Sequence, residues 1–226
     1  MAMRIFAEGM DAIDDLKLCL IRNRTRISFI TSDDPAVMTN RWYLEDPRNL
    51  GRSAGLGSAG ALMLMPLSPR ILCLIYDGDV YSVARSNGWA DAKRESDIQA
   101  FNQHQFLNCS ANIYFRDWDD GQRIRDDFLG VRCLRPAARH RIHYAVYDRS
   151  EGGGDRFRVV DRDGVSTDER AMIHSQTVLA TPSMWPRQVA WRFKGCAYTN
   201  DTGVGHVRRG SLHRQRSGGF RKILAR

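Results

Sequence analysis

The chain has no run of about 18 consecutive apolar residues, so no segment is expected to cross a membrane as a helix. Its longest apolar stretches, 61–65 and 71–76, are interrupted by Pro66 and Pro69. It has no C-x-x-C pair. Its five cysteines, Cys19, Cys73, Cys109, Cys133 and Cys196, are odd in number and far apart, which argues against a zinc framework. With 226 residues, 42% of them apolar, a core can form without disulfide staples. H-E-x-x-H, G-x-S-x-G and a Gly-Lys-Ser/Thr phosphate loop are all missing, which removes the common zinc-protease, serine-hydrolase and nucleotide-loop signatures. The opening residues, MAMRIFAEGMDAIDD, turn acidic at once and lack the short apolar core of a signal peptide, so a cytoplasmic location is expected.

Lysine is scarce as well: four residues, against 30 arginines. A GC-rich genome produces that bias without any selection for binding. The charge is nevertheless uneven. Residues 1–130 carry 15 basic and 18 acidic side chains, a balance of −3, and residues 131–226 carry 19 and 8, a balance of +11. The last 22 residues hold seven basic side chains and no acidic one. Such asymmetry fits a polyanionic partner, and a merely solvated charge run is the competing reading. If nucleic acid is the partner, Arg208, Arg209, Arg214, Arg216, Arg221 and Lys222 are the phosphate contacts, with Trp185, Trp191 or Phe220 available for stacking.

Residues 3–21 read as a helix, with Phe6, Met10, Ile13 and Leu20 on one face. A strand is expected at 27–30 and a loop over 41–60. Strands 61–65 and 71–76, joined by Pro66-Leu-Ser-Pro69, are continuously apolar and so expected to be buried on both faces. A short strand near 80–84 and a helix over 95–109, capped by Ser96 or Asp97, follow. Then come an extended 111–115 and a short helix over 122–129. Strands at 142–147 and 157–160 flank Gly152-Gly-Gly154 as a hairpin. Further strands are expected near 172–179 and 189–193, then an exposed, partly disordered tail from 203. The fold class is therefore α/β or α+β: a small mixed sheet with two main packed helices, followed by a mainly β, basic segment. The expected divisions are a mixed domain over 1–130, a basic β-rich segment over 131–202, and an Arg/Gly-rich exposed tail over 203–226.

Gly55-Leu-Gly57-Ser-Ala-Gly60 matches the G-x-G-x-x-G dinucleotide pattern by letter. That pattern works only between a strand and a helix, so that the helix N-terminus meets the pyrophosphate; here loop-like residues precede it and a proline-limited stretch follows. A mobile glycine loop is the better reading. His140 and His143, if extended, point to opposite faces and share no metal. Asn102 lies on the apolar stripe of the 95–109 helix, between Ile98 and Phe106. A buried amide there must find a partner, either backbone, as a structural tie, or a carboxylate or substrate that it orients.

The stretch SFITSDDPAVM, residues 28–38, is the most ambiguous. Ser and Asp before Pro are turn formers, because their side chains bond backbone amides two residues on. Alternatively, Asp33 emerges from a buried strand into a cleft, where it binds a divalent metal with Asp34 or acts as general base.

These residues carry a resemblance. Phe29-Ile-Thr-Ser-Asp33-Asp-Pro35 followed by Val37 resembles the F-I-T-S-D-x-P-V stretch of the bacterial family catalogued as domain of unknown function 4238. Pro66-Leu-Ser-Pro69 with its following apolar strand, then Phe101-Asn102 opening a stretch that runs to Ala111 and Ile113-Tyr114, are similar in order. The resemblance covers about residues 10–130. It brings no activity, so Asp33 and Asn102 gain prominence but no role. Family members usually have a further N-terminal half, with a His-x-x-Pro motif ahead of a Tyr-Leu-x-x-Phe-like run, which nothing here matches. The resemblance implies that this chain corresponds to the C-terminal part of such a member.

Two functions compete on these observations. One is a phosphodiesterase that uses Mg²⁺ or Mn²⁺ at Asp33 and Asp34, with Asn102 positioning. The other is a non-catalytic nucleic-acid-binding or structural module with no independent activity.

Overall fold

The computed structural model describes residues 13–49, 52, 54–151, 154–166, 169–201, 205–214 and 219–225. The chain divides into two compact units: one formed by 1–136 together with 179–226, the other by 137–178. These divisions differ from those expected, since 131–202 is shared between the two.

The first unit is built on a five-stranded mixed sheet. Its strands are β1 (Lys17–Asn23), β3 (Val37–Thr39), β4 (Leu62–Ser68), β5 (Ile71–Tyr76) and β7 (Trp89–Ala92), in the order β3-β4-β5-β1-β7. All neighbours are antiparallel except β1 and β7, which run parallel. Two short strands, β2 (Thr31–Ser32) and β8 (Ile113–Tyr114), pair separately, as do β6 (Tyr81–Ser82) with β12 (Ala190–Trp191), and β13 (Cys196–Thr199) with β14 (Arg221–Leu224). The helices are α1 (Arg41–Glu45), α2 (Glu95–Asn108) and α3 (Gly121–Val131). Among the described residues no helix is long and apolar enough to cross a membrane.

Strand alternation creates the core. Cys19 and Ile21 from β1, Leu62 and Leu64 from β4, Leu72 and Leu74 from β5, and Ala90 and Ala92 from β7 point to one face. Ile98 and Phe101 of α2 pack into that cluster, and Phe101 meets Phe29 edge-on at 5.8 Å. The opposite residues of β4 and β5, such as Met63, Cys73 and Ile75, are only partly covered, so the expectation of burial on both faces is corrected to burial on one.

The expected helix at 3–21 is corrected over 17–21, which belongs to β1; residues 3–12 lie outside the described residues. In Lys17–Asn23 the apolar positions satisfy both helical and alternating spacing. Pairing with β5 on one edge and β7 on the other satisfies the backbone only as a strand. Residues 27–30 are buried but belong to no ladder, and β2 begins at Thr31. The expected loop over 41–60 contains α1, whose N-cap Asn40 accepts from the Tyr43 amide at 2.8 Å. At the start of α2 neither Ser96 nor Asp97 is the cap: Arg94 holds that position without a side-chain bond, and Asp97 instead receives the Arg187 amide and guanidinium.

In the glycine pattern, Gly60 has φ +78°, and a Cβ there would lie 2.6 Å from Asn40 Oδ1 and 2.9 Å from Trp42 Cβ. Its amide donates to the buried Asp77 carboxylate at 2.8 Å. The third glycine therefore serves a tight backbone turn.

The second unit is a three-stranded antiparallel sheet: β9 (His140–Glu151) lies between β10 (Gly154–Val160) and β11 (Ala171–Thr177). It is mainly β, as expected, and within the basic 131–202 the residues of this unit, 137–178, are themselves balanced, with seven arginines and seven acidic residues. The excess lies in 179–226, with ten basic residues against one acidic. Nor is 203–226 simply an exposed tail. His206, Val207, Arg208, Ser211 and Ala225 are buried, and β14 completes a ladder with β13.

Candidate functional site

The SFITSDDP stretch is held in place by α2. Asn102 accepts the Ile30 amide at 3.1 Å and donates to the Ser28 carbonyl at 2.9 Å. One turn on, Gln105 meets the Ser32 hydroxyl at 2.8 Å and donates to the Pro35 carbonyl at 2.9 Å. A further turn on, Asn108 donates to the Asp34 carbonyl at 2.8 Å. Residues 102, 105 and 108 lie three apart, so they form a row along one helix face that replaces the missing strand ladder. Phe29 also donates to the Pro69 carbonyl at 3.0 Å, and β2 pairs Thr31 with Tyr114. The segment is thereby tied to α2, to the β4–β5 turn and to β8.

Asp33 is exposed and turned toward the loop that follows α2. One carboxylate oxygen accepts the Ser110 amide at 2.8 Å; the other accepts those of Ala111 at 2.8 Å and Asn112 at 3.1 Å. The Ala111 amide foremost, with those of Ser110 and Asn112, holds the carboxyl below the ordinary carboxylate range. An acid held there is a weak proton acceptor at neutral pH, and three of the roughly four acceptor positions of its carboxylate are already taken by backbone donors. Asp34 takes part through its main chain: its amide donates to Ser32 Oγ at 3.3 Å and its carbonyl receives Asn108. Among the described residues, no group of three or more His, Cys, Asp or Glu side chains is gathered to hold a metal ion. Asn102 and Asp33 thus belong to one clasp, and each is bonded to backbone.

Beside the clasp lies a cleft of about 320 Å³. Three distant parts of the chain form it: Phe29–Thr31, Pro66–Pro69 and Tyr114–Arg116. Its walls are largely aromatic and aliphatic, and Arg116 stands at the edge with a loose ion pair to Asp117 at 3.7 Å. Tyr114 is 54% exposed and Trp118 89% exposed, and the Trp118 indole stacks on Phe115 at 6.5 Å with 26° between the rings. Arg116 and Trp118 were not singled out from the sequence. Their signal, Tyr-Phe-Arg-x-Trp in an exposed connection, is short but readable.

Another feature missed in the sequence is His104, 2% exposed in the middle of α2, with its ring 4.9 Å from that of Trp185 and, among the described residues, no hydrogen-bond partner for Nε2. Burial pushes its pKa down to about 4.

The basic residues expected to contact phosphate are spread out. Arg208 is 1% exposed, paired with Asp15, and donates from Nε and Nη2 to the Leu56 carbonyl at 3.1 and 2.7 Å, so it is committed to the interior. Arg209 is exposed, donates to the Tyr198 hydroxyl at 3.1 Å and lies over that ring. Lys222 pairs across the strands with Tyr198, which gathers Arg209, Tyr198 and Lys222. Arg221 binds Asp201 with two bonds of 3.0 Å. The Arg214 side chain and Arg216 lie outside the described residues. Trp185 and Trp191 pack at the edge of the core, and the Arg41 guanidinium lies over both rings.

The chain matches the family described as protein of unknown function (DUF4238) over residues 1–119. No curated protein and no solved structure matches it.

Proposed function

We propose that this chain, which belongs to the DUF4238 family of proteins of unknown function, binds single-stranded nucleic acid without cleaving it, one unpaired base entering the cleft beside the clasp. The observation that carries the reading is the cleft itself: 29–31, 66–69 and 114–116 converge on an aromatic-walled space with a guanidinium at its edge. Aromatic faces accept any base, and arginine answers the phosphate. The Trp118 indole offers a second stacking surface next to it. The net charge of +8 favours a polyanion, and Arg209, Tyr198 and Lys222 form a further basic and aromatic group. A non-catalytic role is preferred because both Asp33 oxygens are engaged by main-chain amides.

The test is fluorescence anisotropy with labelled single-stranded DNA and RNA at low and moderate salt, with Mg²⁺, Mn²⁺ or EDTA, and with the products run on a gel. Affinity is expected to fall steeply with salt. Tyr114→Ala is expected to weaken binding roughly tenfold, the scale of one lost stacking contact. Salt-insensitive binding, or full affinity in both Tyr114→Ala and Arg116→Ala, would overturn the reading. Metal-dependent cleavage abolished by Asp33→Asn would replace it with the phosphodiesterase alternative.

A further inference from the structure

A second cavity, of about 290 Å³, lies among α2, β8 and α3. Phe106, Ile113, Phe115, Ile124 and Phe128 line it, together with Cys109. No acidic side chain takes part. Two guanidiniums do, those of Arg125 and Arg135. Arg135 spends Nη2 on the Cys109 carbonyl at 2.6 Å and lies over the Phe128 ring at 5.9 Å; Arg125 is exposed. Among the described residues neither has a carboxylate partner. On the same helix Arg123 does, with Asp120 at 2.8 Å and Asp127 at 3.5 Å. The cations of α3 are thus paired away from the cavity and unpaired beside it.

An apolar cavity with unpaired guanidiniums at its edge is complementary to an amphiphile with a hydrocarbon body and one carboxylate, the anion that a guanidinium fork matches best. We infer that this cavity binds a medium-chain carboxylic acid of about eight carbons, a size in keeping with small-molecule pockets of roughly 300 Å³. The acyl chain lies among the phenylalanines and isoleucines, and the carboxylate meets Arg125 and Arg135. The inference is independent of the nucleic-acid reading.

Gly121 makes a clean test. It opens α3 with φ −58° and ψ −44°, a conformation open to any residue, and a Cβ there would meet only the Phe115 ring, at 3.7 and 3.8 Å. Gly121→Leu therefore fills the cavity without altering the backbone. The full chain is titrated calorimetrically with sodium octanoate below its micelle concentration, and with octan-1-ol and acetate as controls. Octanoate is expected to bind saturably at one site, with the alcohol and acetate at least tenfold weaker. Gly121→Leu should abolish binding and Arg125→Ala should weaken it at least fivefold. Equal binding of octanol and octanoate, no saturable binding, or unchanged affinity in Gly121→Leu would overturn the inference. Should Gly121→Leu fail to melt cooperatively, the exposed Arg125→Ala decides alone, and unchanged octanoate affinity in it would have the same consequence.

Discussion

Asn102→Ala separates a structural amide from a substrate-orienting one. The side chain makes two bonds, to the Ile30 amide and the Ser28 carbonyl, and these residues are 1% and 4% exposed. Alanine reaches neither, and water has little access to either. Each orphaned buried group costs about 1–3 kcal/mol, so the variant should lose about 2–6 kcal/mol. That is a large part of the roughly 5–15 kcal/mol that holds a typical domain together. Urea unfolding followed by circular dichroism measures the loss, and hydrogen exchange at the Ile30 amide localises it. Asn102→Asp adds a sign test. Its carboxylate still accepts from Ile30 but turns a second acceptor on the Ser28 carbonyl. Its damage should therefore be full at neutral pH and partly reversed in acid, where a protonated oxygen can donate. A loss below about 0.5 kcal/mol in Asn102→Ala, with Ile30 exchange unchanged, would refute the clasp. An amide that merely oriented a ligand would behave in just that way.

Three further outcomes are expected. The His104 imidazole, held down at about 4 by burial, refuses a proton that the unfolded chain accepts between about pH 6.5 and 4. Its contribution is therefore complete above that window and lost as pH falls through it, by up to about 3 kcal/mol. Asp77, pushed up to about 6 by burial, works in the opposite sense below pH 6, so the comparison must be with His104→Phe: the urea midpoint of the variant should fall less than that of the parent between pH 7.5 and 4.5, and equal falls would contradict the assignment. Gly60→Ala, forced to a positive φ against Asn40 and Trp42, should lower stability by more than about 1 kcal/mol, while Gly55→Ala, with open space around it, should be far milder; similar melting temperatures would count against the turn. Asp33→Ala should speed exchange at the Ser110, Ala111 and Asn112 amides and leave the β4–β5 ladder protected; unchanged exchange in 110–112 would remove its role as an anchor.

The β4–β5 hairpin and α2 were readable because local signals agree with the final packing: two apolar runs joined across Pro66–Pro69, although β4 runs on through Pro66 to Ser68, and a long helical stretch with Ile98, Phe101 and Phe106. β1 was not, since its apolar residues fit both periods and the choice is made by β5, some 50 residues away, and by β7. α1 carried a legible cap in Asn40 that the surrounding glycines and Pro47 obscured. At the site, Asn102 stood out as an amide on an apolar stripe. Its companions Gln105 and Asn108 did not, although their spacing was in view. Asp33 could not be resolved locally, because its partners are amides 77 to 79 positions further along the chain. For the same reason buried Arg208 looked like its exposed neighbour Arg209.

The first unit is discontinuous in sequence, and this has a consequence for synthesis. Val189, Ala197 and Ala225 belong to the same core cluster as the sheet, and β12 pairs with β6. While the ribosome makes the 42 residues of 137–178, about 2–8 s at ordinary elongation rates, the emerged sheet waits with part of its apolar face open. The nascent chain is then at its most vulnerable, and a chaperone or a pause site would exert its largest effect on yield in that interval.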